Sequence, residues 1–223
     1  MEAPLPTARE LAQEAFQFGQ TLDLEGIGYG RATEDPDKWH DNPTRYYKFL
    51  AGFAARSGAR DILEIGTWYG GSTRCMARGQ AAAGSDAPTK IVTIDQEQRN
   101  TSAFGEYPTI SAIEGNCLDP RTMRAALGLF DYRPVDLLYV DAFIAYAASI
   151  AFIGIYSTLF RPRFMILDDI KYNDSMSEMW SDLCRVYGDR ALDLDEVDPA
   201  IRPKCGFGLV DLRGWYDSPG RDA

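Results

Sequence analysis

From Asp61 to Thr73 the chain reads Asp-Ile-Leu-Glu-Ile-Gly-Thr-Trp-Tyr-Gly-Gly-Ser-Thr, a short apolar run that breaks into glycines and opens onto a helical segment. A strand that runs into a glycine turn and then a helix is the corner of a parallel α/β sheet. There the backbone must turn tightly and can come close to a ligand. The spacing across Gly66, Gly70 and Gly71 is G-x-x-x-G-G, not the G-x-G-x-x-G of a dinucleotide site, and Glu64 stands two residues before the first glycine, where a pyrophosphate would be repelled. An acidic strand end attracts a cation, while the following helix N-terminus, with Ser72, can receive a carboxylate. The expected ligand therefore carries both charges, as an amino-acid headgroup does.

The rest of the chain supplies the sheet. Residues 62–65, 91–94, 110–113, 135–140 and 164–167 are short apolar runs, several rich in β-branched residues, as strands covered on both faces should be. Residues 73–83, 120–129 and 145–159 fit crossover helices, so the fold class is α/β with a mainly parallel sheet and helices on both faces. Residues 206–212 read as a last strand and 191–197 as its antiparallel partner. Residues 7–18 and 43–55 predict two helices ahead of the sheet. The organisation is a helical appendage over 1–58 that could close over a ligand, an α/β domain over 59–216 and a flexible tail over 217–223.

The second strand ends at Asp95, followed by Gln96, where a carboxylate can accept hydrogen bonds from ribose hydroxyls; an Asp in that position also serves as a turn or cap residue. After the third strand, Asn116 could accept from an exocyclic amine and Cys117 could contact a base edge, whereas Asp119 before Pro120 equally fits a helix cap.

A formal net charge of −10 and the lack of any basic run exclude a large polyanionic partner such as nucleic acid. The four cysteines, Cys75, Cys117, Cys184 and Cys205, have no paired spacing, which predicts free thiols in a reducing compartment. Met1 to Pro6 show neither a basic nor an apolar leader segment, and no apolar run approaches the about 20 residues of a membrane helix. The expectation is a soluble cytoplasmic protein with a small-molecule partner, no membrane contact and room for a homo-oligomer.

On these residues the chain resembles class I S-adenosylmethionine (SAM)-dependent methyltransferases, in the branch of macrocin-type sugar O-methyltransferases and cephalosporin-hydroxylase-like proteins, and more distantly catechol O-methyltransferases. The motifs that carry the resemblance are the 61–73 segment, the Asp95 strand end, Asp136-Leu-Leu-Tyr-Val-Asp-Ala142 with Tyr146, and Arg161-Pro-Arg-Phe-Met-Ile-Leu-Asp-Asp169. The resemblance implies a Rossmann-like seven-stranded sheet with the last strand antiparallel, and SAM lying over the glycine turn. SAM would be held by Glu64, Gly66, Thr67, Trp68, Tyr69, Gly70, Ser72, Asp95, Gln96, Asn116, Cys117 and Asp141. It also implies a divalent cation beside the methyl group. Asp141 at the fourth strand end and Asp168 with Asp169 at the fifth are hard oxygen ligands suited to Mg²⁺; the alternative is that one of the acidic pair caps the next helix.

One departure bears on the chemistry. Relatives carry His or Lys between the first metal-binding Asp and the Tyr, a group that can deprotonate the acceptor hydroxyl; here Ile144 occupies that place. Candidates for the catalytic role are His40, the only histidine, Lys171 with Tyr172 beyond the acidic pair, and Asp141 through the metal. Trp68, Tyr69, Phe143, Tyr146, Tyr172 and Trp180 are expected at the mouth as an acceptor pocket or as packing. The function expected is O-methylation of a hydroxyl on a small molecule, such as a natural-product sugar, a diol or a catechol-like ring. The open alternatives are non-methylating SAM chemistry, cyclisation or an accessory role in hydroxylation, and a non-catalytic binding domain.

Overall fold

A computed structural model describes residues 5–28, 44–84, 86–99, 104–142 and 144–217. Seven strands, β1 (Asp61–Ile65), β2 (Lys90–Asp95), β3 (Ile110–Glu114), β4 (Leu137–Val140), β5 (Phe164–Asp168), β6 (Ala191–Asp193) and β7 (Phe207–Asp211), form one sheet in the order β3-β2-β1-β4-β5-β7-β6. β3, β2, β1, β4 and β5 pair in parallel, and β7 runs antiparallel to both of its neighbours. The expected antiparallel last strand is present, while its partner, expected over 191–197, ends at Asp193, where the chain turns into a short 3-10 helix over Leu194–Glu196. The strand expected over 135–140 is shorter, β4 beginning at Leu137. Asp136 instead accepts hydrogen bonds from the backbone N–H groups of Arg60 and Asp61, clamping β4 to the start of β1.

Among the described residues six α-helices surround the sheet: α1 (Ala8–Gly19), α2 (Arg45–Arg56), α3 (Gly71–Ala82), α4 (Pro120–Leu129), α5 (Tyr146–Phe160) and α6 (Asp174–Tyr187). Their starts follow from local chemistry. Thr7 and Glu10 close a capping box on α1, and the side chains of Thr44, Asp119 and Asn173 accept from the first turns of α2, α4 and α6. Asp119 is thus a cap, with Pro120 at the first helical position. No helix among the described residues is long and apolar enough to cross a membrane.

Each face of the sheet has its own core. On one face, α2 buries Tyr46, Phe49, Leu50 and Phe53 against Tyr139, Phe164 and Phe207. The Phe207 ring lies 5.7 Å from Tyr46, 5.9 Å from Phe49 and 6.1 Å from Tyr139. Burial of each such aromatic contributes about 1.5–3 kcal/mol, so α2 is built into the covering layer of the sheet. It lies so close to α3 that a Cβ on Gly79 would stand 2.0 Å from the Ala51 carbonyl oxygen. On the other face α4, α5 and α6 cover a second cluster around Phe130, Phe152, Tyr156 and Phe160. Trp180, expected at the mouth, belongs to this cluster and is 7 % exposed, packed where any side chain on Gly208 would collide with its ring.

The strand order reverses direction between β1 and β4: one crossover sequence runs outward to β2 and β3, the other to β5. Ligands bind at the carboxyl edge of such a switch point. Gly66 and Asp141 face each other there.

Candidate active site

Gly66 leaves β1 with φ +97°, and a Cβ at this position would lie 2.0 Å from the backbone oxygen of Asp141. Only glycine fits such a conformation and such an approach. The turn is fixed from the next strand: one oxygen of Asp95 accepts from the N–H groups of Thr67 and Trp68 at 2.9 and 2.8 Å, and its other oxygen accepts from Glu97. Asp95 is therefore the anchor of the glycine turn as well as the acidic end of β2. Trp68, at φ +48°, is 42 % exposed and stacks under the Arg99 guanidinium, 3.9 Å from the ring centroid.

Glu64 occupies a different place from the one its position in the motif suggests. Its side chain is fully buried beneath the turn; Ser72 donates to one carboxylate oxygen at 2.5 Å and Thr73 to the other. Burial pushes the Glu64 carboxyl up to about 7, against these hydroxyl hydrogen bonds. It ties β1 to the first turn of α3 and does not line the cleft. The Ser72 hydroxyl is spent on this contact, while α3 starts at Gly70 with no side chain capping its N-terminus, so its backbone N–H groups remain the anion-binding feature.

Beside the turn lies a cleft of about 540 Å³, bounded by Ile65, Gly66, Asp95, Gln96, Arg99 and Cys117, and by Asp141 at its inner end. Asp141 also lines two smaller adjoining hollows, one with Tyr47, Thr67, Trp68 and Ser72, the other with Ile144, Asp168 and Asp169. Among the expected cofactor contacts, Gly66, Thr67, Trp68, Ser72, Asp95, Gln96, Cys117 and Asp141 come together around these hollows. Tyr69 packs edge-on against Trp68, and Gly70 supplies the left-handed residue that starts α3. Asn116 is exposed and folds onto its own loop, accepting from Leu118 N–H.

The acidic trio forms as its strand ends predict. Carboxylate oxygens of Asp141, Asp168 and Asp169 lie within 4.8 Å of one another. Successive strand residues point to opposite faces, but Asp169 adopts φ +60°, a left-handed conformation that Asp tolerates, which brings both neighbours into one cluster. Burial raises the Asp141 carboxyl well above its usual range, and the nearby charges of Asp168 and Asp169 raise it further. Asp168 is pushed up to about 6 by burial, with Arg202 opposing. One Asp168 oxygen, Oδ2, is buried with no hydrogen-bond partner among the described residues. A buried orphan acceptor amid three carboxylates is the setting a hard divalent cation satisfies, so these residues fit Mg²⁺.

Other expected participants are placed elsewhere. Lys171 forms ion pairs with Asp193 and Asp195 at 2.5 and 2.6 Å, beneath the loop before β7, which keeps its amine protonated and unsuited to act as a base. Tyr146 donates to Asp182 on α6. Tyr172 is exposed. His40 and Phe143 lie outside the described residues. Three residues without a motif join the site: Tyr47 from α2, Arg99 after β2, and Arg202, which reaches the acidic trio from the loop before β7. None of them sits at a strand end or near a glycine, so spacing gave no signal for them.

The strand order and the covering helices are those of the Rossmann-like methyltransferase fold. Residues 63–170 match a family model described as "Methyltransferase domain". Solved structures share the fold at low identity. An O-methyltransferase from Bacillus cereus in complex with SAH is 20% identical at TM-score 0.55, covering 93% of this chain and 92% of that one. The O-methyltransferase TomG from Streptomyces achromogenes, involved in tomaymycin synthesis and solved with SAM, is 20% identical at TM-score 0.57, with 96% and 93% covered. The SAH-bound methyltransferase PaMTH1 of Podospora anserina is 16% identical at TM-score 0.57, with 95% and 99% covered. No curated protein sequence matches the chain.

Proposed function

We propose that this chain transfers the methyl group of SAM to a hydroxyl oxygen of a small molecule, with a divalent cation held by Asp141, Asp168 and Asp169. The observation that carries the reading is the position of Asp141, which lines both the cleft beside the glycine turn and the acidic hollow. Donor and acceptor sites thus meet at one side chain.

In this reading Gly66 lets the donor's headgroup lie against bare backbone, and the uncapped start of α3 receives its carboxylate. The Asp95 carboxylate, already aimed by two backbone N–H groups, retains lone pairs for ribose hydroxyls, while Gln96 and Cys117 flank the far end of the cleft. A cation in the trio would lower the pKa of an acceptor hydroxyl, which answers the loss of a basic side chain at Ile144. Ile144, 45 % exposed, instead gives the acceptor hollow an apolar wall. The acceptor class that suits these oxygens and this wall is a vicinal diol, a catechol-like ring or a sugar of a natural product. What the enzyme contributes is alignment of the two reactants.

Calorimetric titration with SAM, followed by incubation with SAM, Mg²⁺ and a panel of diols, catechols and glycosides, tests the proposal. SAM binding with accumulation of S-adenosylhomocysteine and a methylated product is the expected result. Binding with consumption of SAM but no S-adenosylhomocysteine would move the chain to a non-methylating chemistry, and absence of SAM binding would reduce it to a fold without the activity.

A further inference from the structure

The acidic trio already has a cation of its own. Arg202 Nε donates to Asp168 Oδ1 at 2.8 Å, and its Nη2 lies 3.5 Å from Asp169 Oδ1. The guanidinium is 21 % exposed and lies over the Tyr46 ring, 4.5 Å from the centroid. The Asp168 side chain that receives it is fully buried. This is a built contact: an aromatic face below and a buried carboxylate at the edge hold the flat fork in one orientation. Although burial disfavours its charge, the Asp168 carboxylate keeps the Arg202 guanidinium protonated.

The pair leaves the site half served. Asp168 Oδ1 is taken by Arg202 Nε and by the Asp169 N–H at 2.8 Å, while Oδ2 stays buried and unpartnered. Among the described residues Asp141, the third member, receives the Tyr139 hydroxyl alone, at 3.3 Å. A divalent cation drawn to Asp168 Oδ2 and Asp141 would bring two positive charges next to a guanidinium already bonded to the same carboxylate, at a side chain whose full burial leaves the repulsion poorly screened.

We propose that Arg202 is the resident counter-cation of the Asp141–Asp168–Asp169 cluster, that a divalent cation binds only by displacing it from Asp168, and that this competition weakens the site for metal. The inference rests on the cation site of the proposed function and adds to it a residue that sets its affinity. Tyr46 gives the displaced guanidinium a place to remain, so exchange needs a swing of one side chain and no rearrangement of the sheet.

Mn²⁺ binding measured by the loss of free-ion electron paramagnetic resonance signal, on the wild-type chain and on Arg202→Gln and Arg202→Lys, tests this without reference to turnover. Arg202→Gln should bind Mn²⁺ about tenfold more tightly than wild type, the ratio produced by 1.4 kcal/mol. Arg202→Lys, which keeps the charge but loses the fork, should fall between the two. Because removing one member of a buried pair destabilises a fold, a second measurement uses the unmodified protein. On titration with diamagnetic Mg²⁺, the Arg202 Nε–H resonance should move as its bond to Asp168 breaks. Equal or weaker Mn²⁺ binding by the folded Gln variant, or an unmoved resonance at saturating Mg²⁺, overturns the displacement inference while leaving the cation site intact. No binding by any of the three chains overturns the cation reading, and the inference falls with it.

Discussion

The two halves of the sheet's carboxyl edge handle negative charge in opposite ways. At β1 and β2, Glu64 and Asp95 are satisfied by nearby hydroxyls and N–H groups: Ser72 and Thr73 for one, Thr67, Trp68 and Glu97 for the other. At β4 and β5, two of the three clustered carboxylates, Asp168 and Asp169, share one guanidinium from a remote loop, and one buried oxygen of Asp168 has no partner among the described residues. The first half is a completed frame whose polar groups hold its own backbone. The second is a site whose charge balance depends on what enters it. A frame tolerates little change in shape, whereas a charge site tolerates changes in shape better than changes in charge.

The sharpest break of this contrast is at Gly66. Gly66→Ala forces a Cβ onto the Asp141 carbonyl and a left-handed alanine, so we expect a loss of about 3–5 kcal/mol in urea unfolding and no measurable SAM binding; a variant that melts like wild type would show the frame to be adaptable. In the other half, Asp168→Asn keeps the shape and an acceptor for Arg202 while removing the charge. Turnover should fall about 100-fold and stability should fall as well, because Arg202 keeps a neutral acceptor where it had a buried carboxylate; Asp169→Asn should follow it more mildly. Unchanged, EDTA-insensitive activity in both would erase the distinction between the halves.

Glu64 gives a pH test of the frame. In the unfolded chain its carboxyl ionises near 4.5, but in the folded protein near 7. Between these values the unfolded state releases a proton that the folded state keeps, so wild-type stability declines as pH rises from about 4.5 to about 7 and is flat in this respect above. Glu64→Gln lacks this decline. Relative to wild type it should gain on the order of 2–3 kcal/mol across that window, read from denaturant midpoints at both ends; parallel profiles would mean that Glu64 is ionised in the fold. The smallest effect is expected at Lys171→Met. Its partly exposed ion pairs with Asp193 and Asp195 lie away from the trio, so stability should change by no more than about 1 kcal/mol and kcat should hold. A large fall in kcat would return Lys171 to the chemistry.

The same contrast explains how much could be read from residues alone. Gly66, Asp95, Asp141, Asp168 and Asp169 were legible because each ends an apolar run, and a parallel sheet gathers such ends on one edge. The alternation of β1 was not legible. A strand covered on both faces has no polar side to orient it, so nothing in the sequence says that Glu64 turns inward to Ser72 and Thr73 instead of outward to a ligand. Trp180 was misplaced for a related reason, since an indole fits a core as well as a mouth and only the absent side chain of Gly208 decides it. Arg202 lies in a stretch without motif, and its arrival at Asp168 depends on how the chain returns through β6 and β7.

That return has a consequence for how the molecule forms. The ring of Phe207 completes a core begun by Tyr46 and Phe49, roughly 160 residues earlier in the chain. During synthesis the part of the α2 aromatic face that Phe207 covers stays open after Phe164 has become available to the rest of it. Contacts of such long sequence separation are slow to close, and the exposed apolar face is a point of aggregation meanwhile. The last strand is therefore the step that commits the chain to its native state: shortening the protein before β7 should yield an insoluble product, not a smaller enzyme.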